Sequence, residues 1–83
     1  MRVNFKWEEV VLGGGLSEYD GVGQEEAQGF NAFIHKGEGE LWCVELENGN
    51  KQWGEVGGKP TLRAAKLLAA KRVRDILSAG VTT

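Results

Sequence analysis

One segment near the C-terminal end constrains the fold most, because it is the longest stretch of the chain without glycine or proline. It follows Pro60 and runs over residues 61–79. Thr61 is a residue type that caps the start of helices, and Gly80 is the type that commonly ends them. Aliphatic residues recur in it at helical spacing: Leu62, Ala65, Ala69, Val73 and Ile76. The segment therefore predicts a helix that packs against a sheet through small side chains.

The opposite face of this predicted helix is basic, and the charge of the chain is divided accordingly. Residues 1–58 hold four basic and eleven acidic residues, a net charge of −7, whereas residues 59–83 hold six basic residues and one acidic residue, a net charge of +5. Two interpretations remain open: the halves attract each other across the fold, or they form a bipolar surface for two partners or two copies.

The rest of the chain predicts strands and loops. Val3, Phe5 and Trp7 alternate with polar residues, which indicates a half-buried strand over residues 3–12. Residues 13–29 are rich in glycine and acid, and we expect a long loop there. Residues 30–56 predict a meander of short strands, since Asn48-Gly49 between apolar runs is typical of a hairpin turn.

These elements define the expected fold. It is an α+β fold in which an antiparallel meander of three to four strands is packed by one C-terminal helix, within a single domain over residues 1–83. A two-residue turn at Asn48-Gly49 would place Val44 opposite Trp53 and Trp42 opposite Glu55. The following residues would then share one face if Phe33 pairs with Trp42: Phe33, Trp42, Val44, Leu46 and Trp53.

The other face of the meander would also be apolar in this register. It would carry Phe30, Ala32, Ile34, Leu41, Cys43 and Val56. Because one helix can cover only one face, the second face would need the long loop or another molecule. We therefore predict partial exposure of this second apolar face, and a homodimer is one way to cover it.

Composition narrows the environment in which we expect the chain to act. No apolar run approaches the ~20 residues that span a bilayer, and the N-terminal sequence MRVNFKWEE has no apolar core of a signal peptide. The single cysteine, Cys43, excludes an internal disulfide and is taken to exclude a cysteine-based zinc site, and it fits a reducing compartment. We expect a soluble, cytoplasmic protein that does not bind membranes.

Patterns typical of enzymes are weak. His35 is the only histidine and has no sequence neighbour that suggests a nucleophile, and the acidic pairs such as Glu8-Glu9 give no sign of two carboxyl groups in different environments. Gly57-Gly58 precedes the helix but lacks the spacing of a phosphate-binding loop. We therefore expect no enzymatic activity, no cofactor and no metal site.

Part of the chain resembles nucleic-acid-binding families. The run from Trp42 to Ala70 resembles the plant-type AP2 domain and the arm-binding domains of phage integrases, in which strands lead to a packing helix with spaced threonine and alanines. Those families read DNA with the sheet. Thr61, Ala65-Lys66 and Ala69-Ala70 are similar to the last helix of double-stranded-RNA-binding domains, whose lysines meet phosphate.

These resemblances imply a nucleic-acid-binding domain as an alternative function. The residues that would bind phosphate lie on the basic face of the helix and just before it: Lys59, Arg63, Lys66, Lys71 and Arg74. The predicted strands, however, carry glutamates that phosphates would repel.

The size, acidity and architecture are similar to those of small accessory proteins of bacteriophages and mobile elements, including anti-CRISPR inhibitors. This resemblance implies a non-enzymatic module that binds, and in some cases inhibits, a host protein. Tryptophans surrounded by charged residues are plausible anchors of such an interface. The predicted partner-binding residues are Trp42, Trp53, Glu45, Glu47 and Glu55.

Overall fold

A computed structural model describes residues 2–49 and 51–79. It contains a five-stranded antiparallel sheet in the order β1-β2-β3-β4-β5, packed by one C-terminal helix. The predicted α+β fold is thus confirmed, with five strands rather than three to four. The strands are β1 (Val3–Gly13), β2 (Leu16–Glu25), β3 (Asn31–Lys36), β4 (Trp42–Glu47) and β5 (Gln52–Lys59), and a short 3-10 turn at Glu38–Glu40 joins β3 to β4.

The helix α1 spans Leu62–Ser78, in agreement with the periodicity of its sequence. It begins as predicted, since the hydroxyl of Thr61 accepts a hydrogen bond of 3.1 Å from the backbone N–H of Ala64. This bond satisfies one of the amides that have no partner within the first turn. Gly80, which we expected to end the helix, lies outside the described residues.

The loop predicted over residues 13–29 is wrong, because most of it forms strand β2. Its glycines suggested a loop, yet two of them are required inside the sheet. A Cβ atom at Gly21 would lie 2.7 Å from the ring of Trp7 on β1, and one at Gly23 would overlap the backbone carbonyl of Ala27. Glycine in a strand often marks such a close approach of neighbouring groups.

The predicted register between β3 and β4 is also wrong. Phe33 pairs with Glu45, and Trp42 pairs with Lys36. This differs by three residues from the predicted pairing of Phe33 with Trp42. Because side chains alternate between faces, this odd shift places Ala32 and Ile34 of β3 on the same face as Val44 and Leu46 of β4, whereas the prediction had them on opposite faces.

The β4–β5 hairpin departs from the prediction because its turn is shifted along the chain and β5 is bulged. The turn is closed by a backbone bond from Asn48 N–H to the carbonyl of Lys51, one residue further along the chain than a two-residue turn at Asn48-Gly49 would place it. Two register shifts then place Val44 opposite Gly57 and Trp42 opposite Lys59. Each bulge adds one residue to β5 and moves the later residues of that strand to the opposite face.

The corrected register places the core on one face of the sheet. Ile34, Val44 and Leu46 are buried there against Ala65, Ala69 and Val73 of the helix. We call this the inner face. The predicted second apolar face does not form, since Ala32 and Ile34 lie on the inner face. A homodimer stays a prediction from the sequence.

The sheet curls around the helix, since α1 contacts the two edge strands β1 and β5 as well as β3 and β4. The β1–β2 hairpin continues beyond the sheet, because β2 pairs with β3 only over Tyr19–Val22. Its tip exposes three apolar side chains: Val11, Leu12 and Leu16. Within the described residues, no helix has the length and apolarity needed to cross a membrane.

Candidate interaction surface

The outer face of the sheet, which α1 does not cover, is strongly acidic. Side chains alternate between the two faces along each strand, and the strand register shows which side chains of neighbouring strands share this outer face. Its carboxylates are Glu8, Glu18, Asp20, Glu45, Glu47 and Glu55. Lys6 is the lysine on the same face of the described strands. We call this surface the acidic face.

Two pairs of carboxylates on the acidic face lie directly opposite each other on neighbouring strands. Glu8 pairs with Asp20 between β1 and β2, and Glu45 pairs with Glu55 between β4 and β5. Like charges in such positions destabilise a sheet, by roughly the 0.2–1 kcal/mol that opposite charges would contribute. The arrangement therefore does not serve the stability of the fold.

Few groups within the described residues offset this charge. The ring atom Nδ1 of His35 lies 3.7 Å from a carboxylate oxygen of Glu45, and the side-chain amide of Asn31 donates to Glu47 at 3.4 Å. Both contacts are long and partly exposed, so their contribution is small. The acidic face thus presents carboxylates whose charge is available to a cationic partner.

The structure brings together the three predicted glutamates but separates them from the two predicted tryptophans. Trp42 lies on the inner side, where its ring meets Tyr19 edge-on at 5.9 Å and Nζ of Lys36 lies 4.5 Å from its centre. Trp53 stacks on Phe30 of the core at 5.6 Å. Both tryptophans are half-buried packing residues, and neither lies on the acidic face.

The predicted basic residues lie on the other side of the molecule from the acidic face. Arg63 and Arg74 are exposed on the outer side of α1, next to Leu67, which is 63% exposed. Lys71 is paired with Asp75 at 3.0 Å, one helical turn away. The two charged surfaces therefore face away from each other, as the interpretation of a bipolar surface requires.

The other two predicted basic residues do not extend freely from the helix. Lys66 leans toward the sheet, with its Nζ 5.7 Å from the ring centre of Trp7 and 5.2 Å from that of Tyr19. Lys59 lies in β5 opposite Trp42, rather than on the helix. The basic surface on the outer side of α1 thus depends mainly on Arg63 and Arg74.

Sequence reasoning missed half of the acidic face, namely Glu8, Glu18 and Asp20. A signal was present, because Glu18 and Asp20 alternate with Ser17 and Tyr19 at the period of a strand. Gly21 comes immediately afterwards and interrupts the pattern. Without the knowledge that Trp7 fills the space above Gly21, this glycine indicates a loop.

One group on the acidic face has a shifted protonation equilibrium. The pKa of the Cys43 thiol is raised, first by the Glu55 carboxylate beside it, then by burial and by the charges of Glu55 and Glu45. A thiol reacts as the thiolate. At any pH near the ordinary thiol pKa, a smaller fraction of Cys43 is therefore in the reactive form.

We expect Cys43 to react slowly with a disulfide reagent at pH 8, measured with chelator present. Glu55→Gln removes the first cause of the raised pKa, so the rate at pH 8 should rise severalfold and the pH–rate curve should move to lower pH. Glu18→Gln is the matched control, because Glu18 lies on β2, and its rate should equal that of the wild type. An unchanged curve in the Glu55 variant would contradict this assignment of the cause.

Comparisons of the chain with protein-family models, with curated proteins and with solved structures found no match.

Proposed function

We propose that this protein is a non-enzymatic protein-interaction module that binds a basic surface of a partner protein through its acidic face. The observation that carries the proposal is the set of six carboxylates on the uncovered side of the sheet. Four of them form two pairs, and in each pair the two residues lie opposite each other on neighbouring strands. Charges that weaken the fold are explained if a partner neutralises them. The strands of the sheet also present these groups at fixed spacing, which favours recognition.

The chemistry of the face defines the class of partner. Carboxylates spaced along strands accept hydrogen bonds from arginine and lysine side chains, and such side chains line protein surfaces that hold nucleic-acid phosphates. A protein that covers such a surface with carboxylates competes with the nucleic acid. Inhibition of a nucleic-acid-binding host protein is therefore the form of the function that we propose, in keeping with the resemblance to small phage accessory proteins.

Charge reversal on the acidic face is expected to abolish partner capture without unfolding the protein. We propose the double variant Glu45→Lys with Glu47→Lys, used as bait in a lysate, with bound proteins identified by mass spectrometry. The wild type should retain basic proteins, and the variant should lose them. The variant should be at least as stable, because a lysine at position 45 would face Glu55 as an opposite charge, and position 47 faces the uncharged Gln52.

A matched control separates the position of the charges from net charge. Glu26→Lys with Glu40→Lys changes the net charge by the same amount, but both residues lie in exposed turns away from the acidic face. This control should capture the same proteins as the wild type. Equal loss in both variants would show a nonspecific effect of net charge, and equal capture by both would show that the acidic face is not the interface.

The second candidate function is nucleic-acid binding through the basic side of the helix. It is supported by Arg63 and Arg74, which are exposed on one side of α1, and by the separation of that side from the acidic face. It is weakened by the engagement of Lys71 with Asp75 and of Lys66 with aromatic rings. Phosphate binding by the remaining cations would be strongly dependent on salt.

Fluorescence anisotropy with labelled duplex and single-stranded DNA and RNA at low salt distinguishes this candidate from the first. Binding that weakens in Arg63→Ala with Arg74→Ala, with a salt slope reduced by about one per lost phosphate contact, would establish it. Absence of binding at low ionic strength would eliminate it and leave the protein-interaction proposal.

A further inference from the structure

A cluster of three different metal-ligating side chains lies on the acidic face, where β3, β4 and β5 meet. His35, Cys43 and Glu55 each offer one ligand atom, and these atoms all lie within 4.8 Å of one another. His35 and Cys43 are half-buried and directly opposite each other in the β3–β4 register. The three lie eight and twelve positions apart along the chain, a spacing that matches no common metal motif, so only the strand register reveals the cluster.

We propose that His35, Cys43 and Glu55 form a binding site for a zinc-class divalent cation. The donors are an imidazole nitrogen, a thiolate sulfur and a carboxylate oxygen, the set that borderline cations such as Zn²⁺ and Co²⁺ accept, whereas Mg²⁺ and Ca²⁺ prefer oxygen alone. Three protein ligands leave a fourth position for water, and Glu55 is exposed, so this position would open to solvent.

The geometry requires only side-chain movement. Bonds of about 2.0–2.3 Å to nitrogen, oxygen and sulfur place tetrahedral ligands roughly 3.3–3.8 Å apart. The three ligand atoms lie within 4.8 Å of one another, so each pair would have to approach by at most about 1 Å to 1.5 Å. The strands themselves hold the three residues in register. Gly37 leaves room for the thiol, since a Cβ atom there would lie 2.6 Å from Sγ of Cys43.

The surroundings of the cluster also favour a cation. Glu45 lies directly opposite Glu55, so the site contains a pair of like charges that a divalent ion would offset. The Glu45 carboxylate also lies 3.7 Å from Nδ1 of His35, which leaves Nε2 of the ring for the ion. A carboxylate on the second nitrogen is the usual means by which a ligating histidine is oriented.

Metal binding by this cluster would proceed with release of one proton. The thiol of Cys43 becomes a thiolate as its sulfur bonds to the cation, and its proton passes to solvent. His35 would bind through a neutral imidazole nitrogen and Glu55 through a carboxylate oxygen. This inference is independent of the proposed function, because metal binding is measured on the protein alone.

Titration of the reduced protein with Co²⁺ tests the site, since a thiolate bound to Co²⁺ gives a charge-transfer absorption in the near ultraviolet. We expect a band that saturates at one ion per chain and is displaced by Zn²⁺ but not by excess Mg²⁺ or Ca²⁺. Cys43→Ser should abolish the band. His35→Gln and Glu55→Gln should each weaken binding at least tenfold, and Glu45→Gln should weaken it by about tenfold through the histidine.

Glu8→Gln is the matched control on the same face, because Glu8 lies on β1, two strands away from His35, and it should bind Co²⁺ like the wild type. Circular dichroism of each variant confirms that loss of the band is not loss of the fold. Absence of the band in the folded wild type would overturn the proposal. So would a band of full strength in both the His35 and Glu55 variants, which would show binding to the thiol alone, or displacement by Mg²⁺, which would show nonspecific attraction to acid.

Discussion

Replacing Gly23 with alanine is expected to remove about 3 kcal/mol from the free energy of unfolding, at the upper end of the usual effect of overpacking. The backbone N–H of Gly23 donates to the carbonyl of Phe30 at 2.8 Å, and its α-carbon lies against the carbonyl of Ala27. An added methyl group would overlap that carbonyl. Because the obstacle is backbone, the clash is relieved only if the β2–β3 connection moves.

Urea unfolding followed by tryptophan fluorescence measures this effect. The matched control is Gly58→Ala in β5, where a Cβ atom would meet Leu41 at 3.5 Å, an ordinary contact, and the backbone is not left-handed. We expect the control to be within ~1 kcal/mol of the wild type, since only strand propensity changes. Equal effects of the two substitutions would show that Gly23 is not confined as the structure indicates.

Replacing Ile34 with alanine is expected to cost about 2–5 kcal/mol, the range for deletion of a large buried aliphatic side chain. Ile34 is fully buried in the central strand, where it pairs with Tyr19 on one side and Val44 on the other. A chain of this length has a total free energy of unfolding of about 4–12 kcal/mol. The substitution therefore removes a large part of the stability and should lower the urea midpoint accordingly.

Leu67→Ala is the matched control for Ile34. Leu67 is 63% exposed on the outer side of α1, and alanine has the higher helix propensity. We expect a change of less than about 0.5 kcal/mol, as for most exposed positions. A large loss of stability in the Leu67 variant, with little change in the Ile34 variant, would contradict the position of the core between the sheet and the helix.

The helix and the class of fold could be predicted from the sequence because their signals are local. The cap at Thr61, the aliphatic period and the absence of glycine all act within one segment, and the structure confirms them. Strand β2 could not be predicted in this way. Its glycines are explained by contacts with Trp7 and Ala27, which only the folded chain brings into place, so no local pattern distinguishes them from the glycines of a loop.

The sequence predicted that one surface of the molecule is acidic, but not which residues lie on it. The acidic excess of residues 1–58 already indicated an acidic side of the molecule. Which residues share a face depends on register, and here the position of the β4–β5 turn and two bulges in β5 decide it. The same register places Trp42 and Trp53 away from the acidic face and brings His35, Cys43 and Glu55 together on it.

The acidic face and its opposing carboxylates connect the two proposals without making either depend on the other. The pair Glu45 and Glu55 weakens the sheet in isolation, and a cationic partner surface or a divalent ion would each relieve that repulsion. Partner capture is tested with chelator present, and metal binding is tested without a partner. Failure of one proposal thus leaves the other unaffected.

The most direct test of the central claim is mapping of backbone-amide NMR shifts of the labelled protein on titration with a captured basic partner. Binding through the acidic face predicts the largest changes on β2 and β4, around Asp20, Glu45 and Glu47, with little change on the outer side of α1. Changes concentrated instead at Arg63, Leu67 and Arg74 would contradict the claim and assign the interaction to the basic side of the helix.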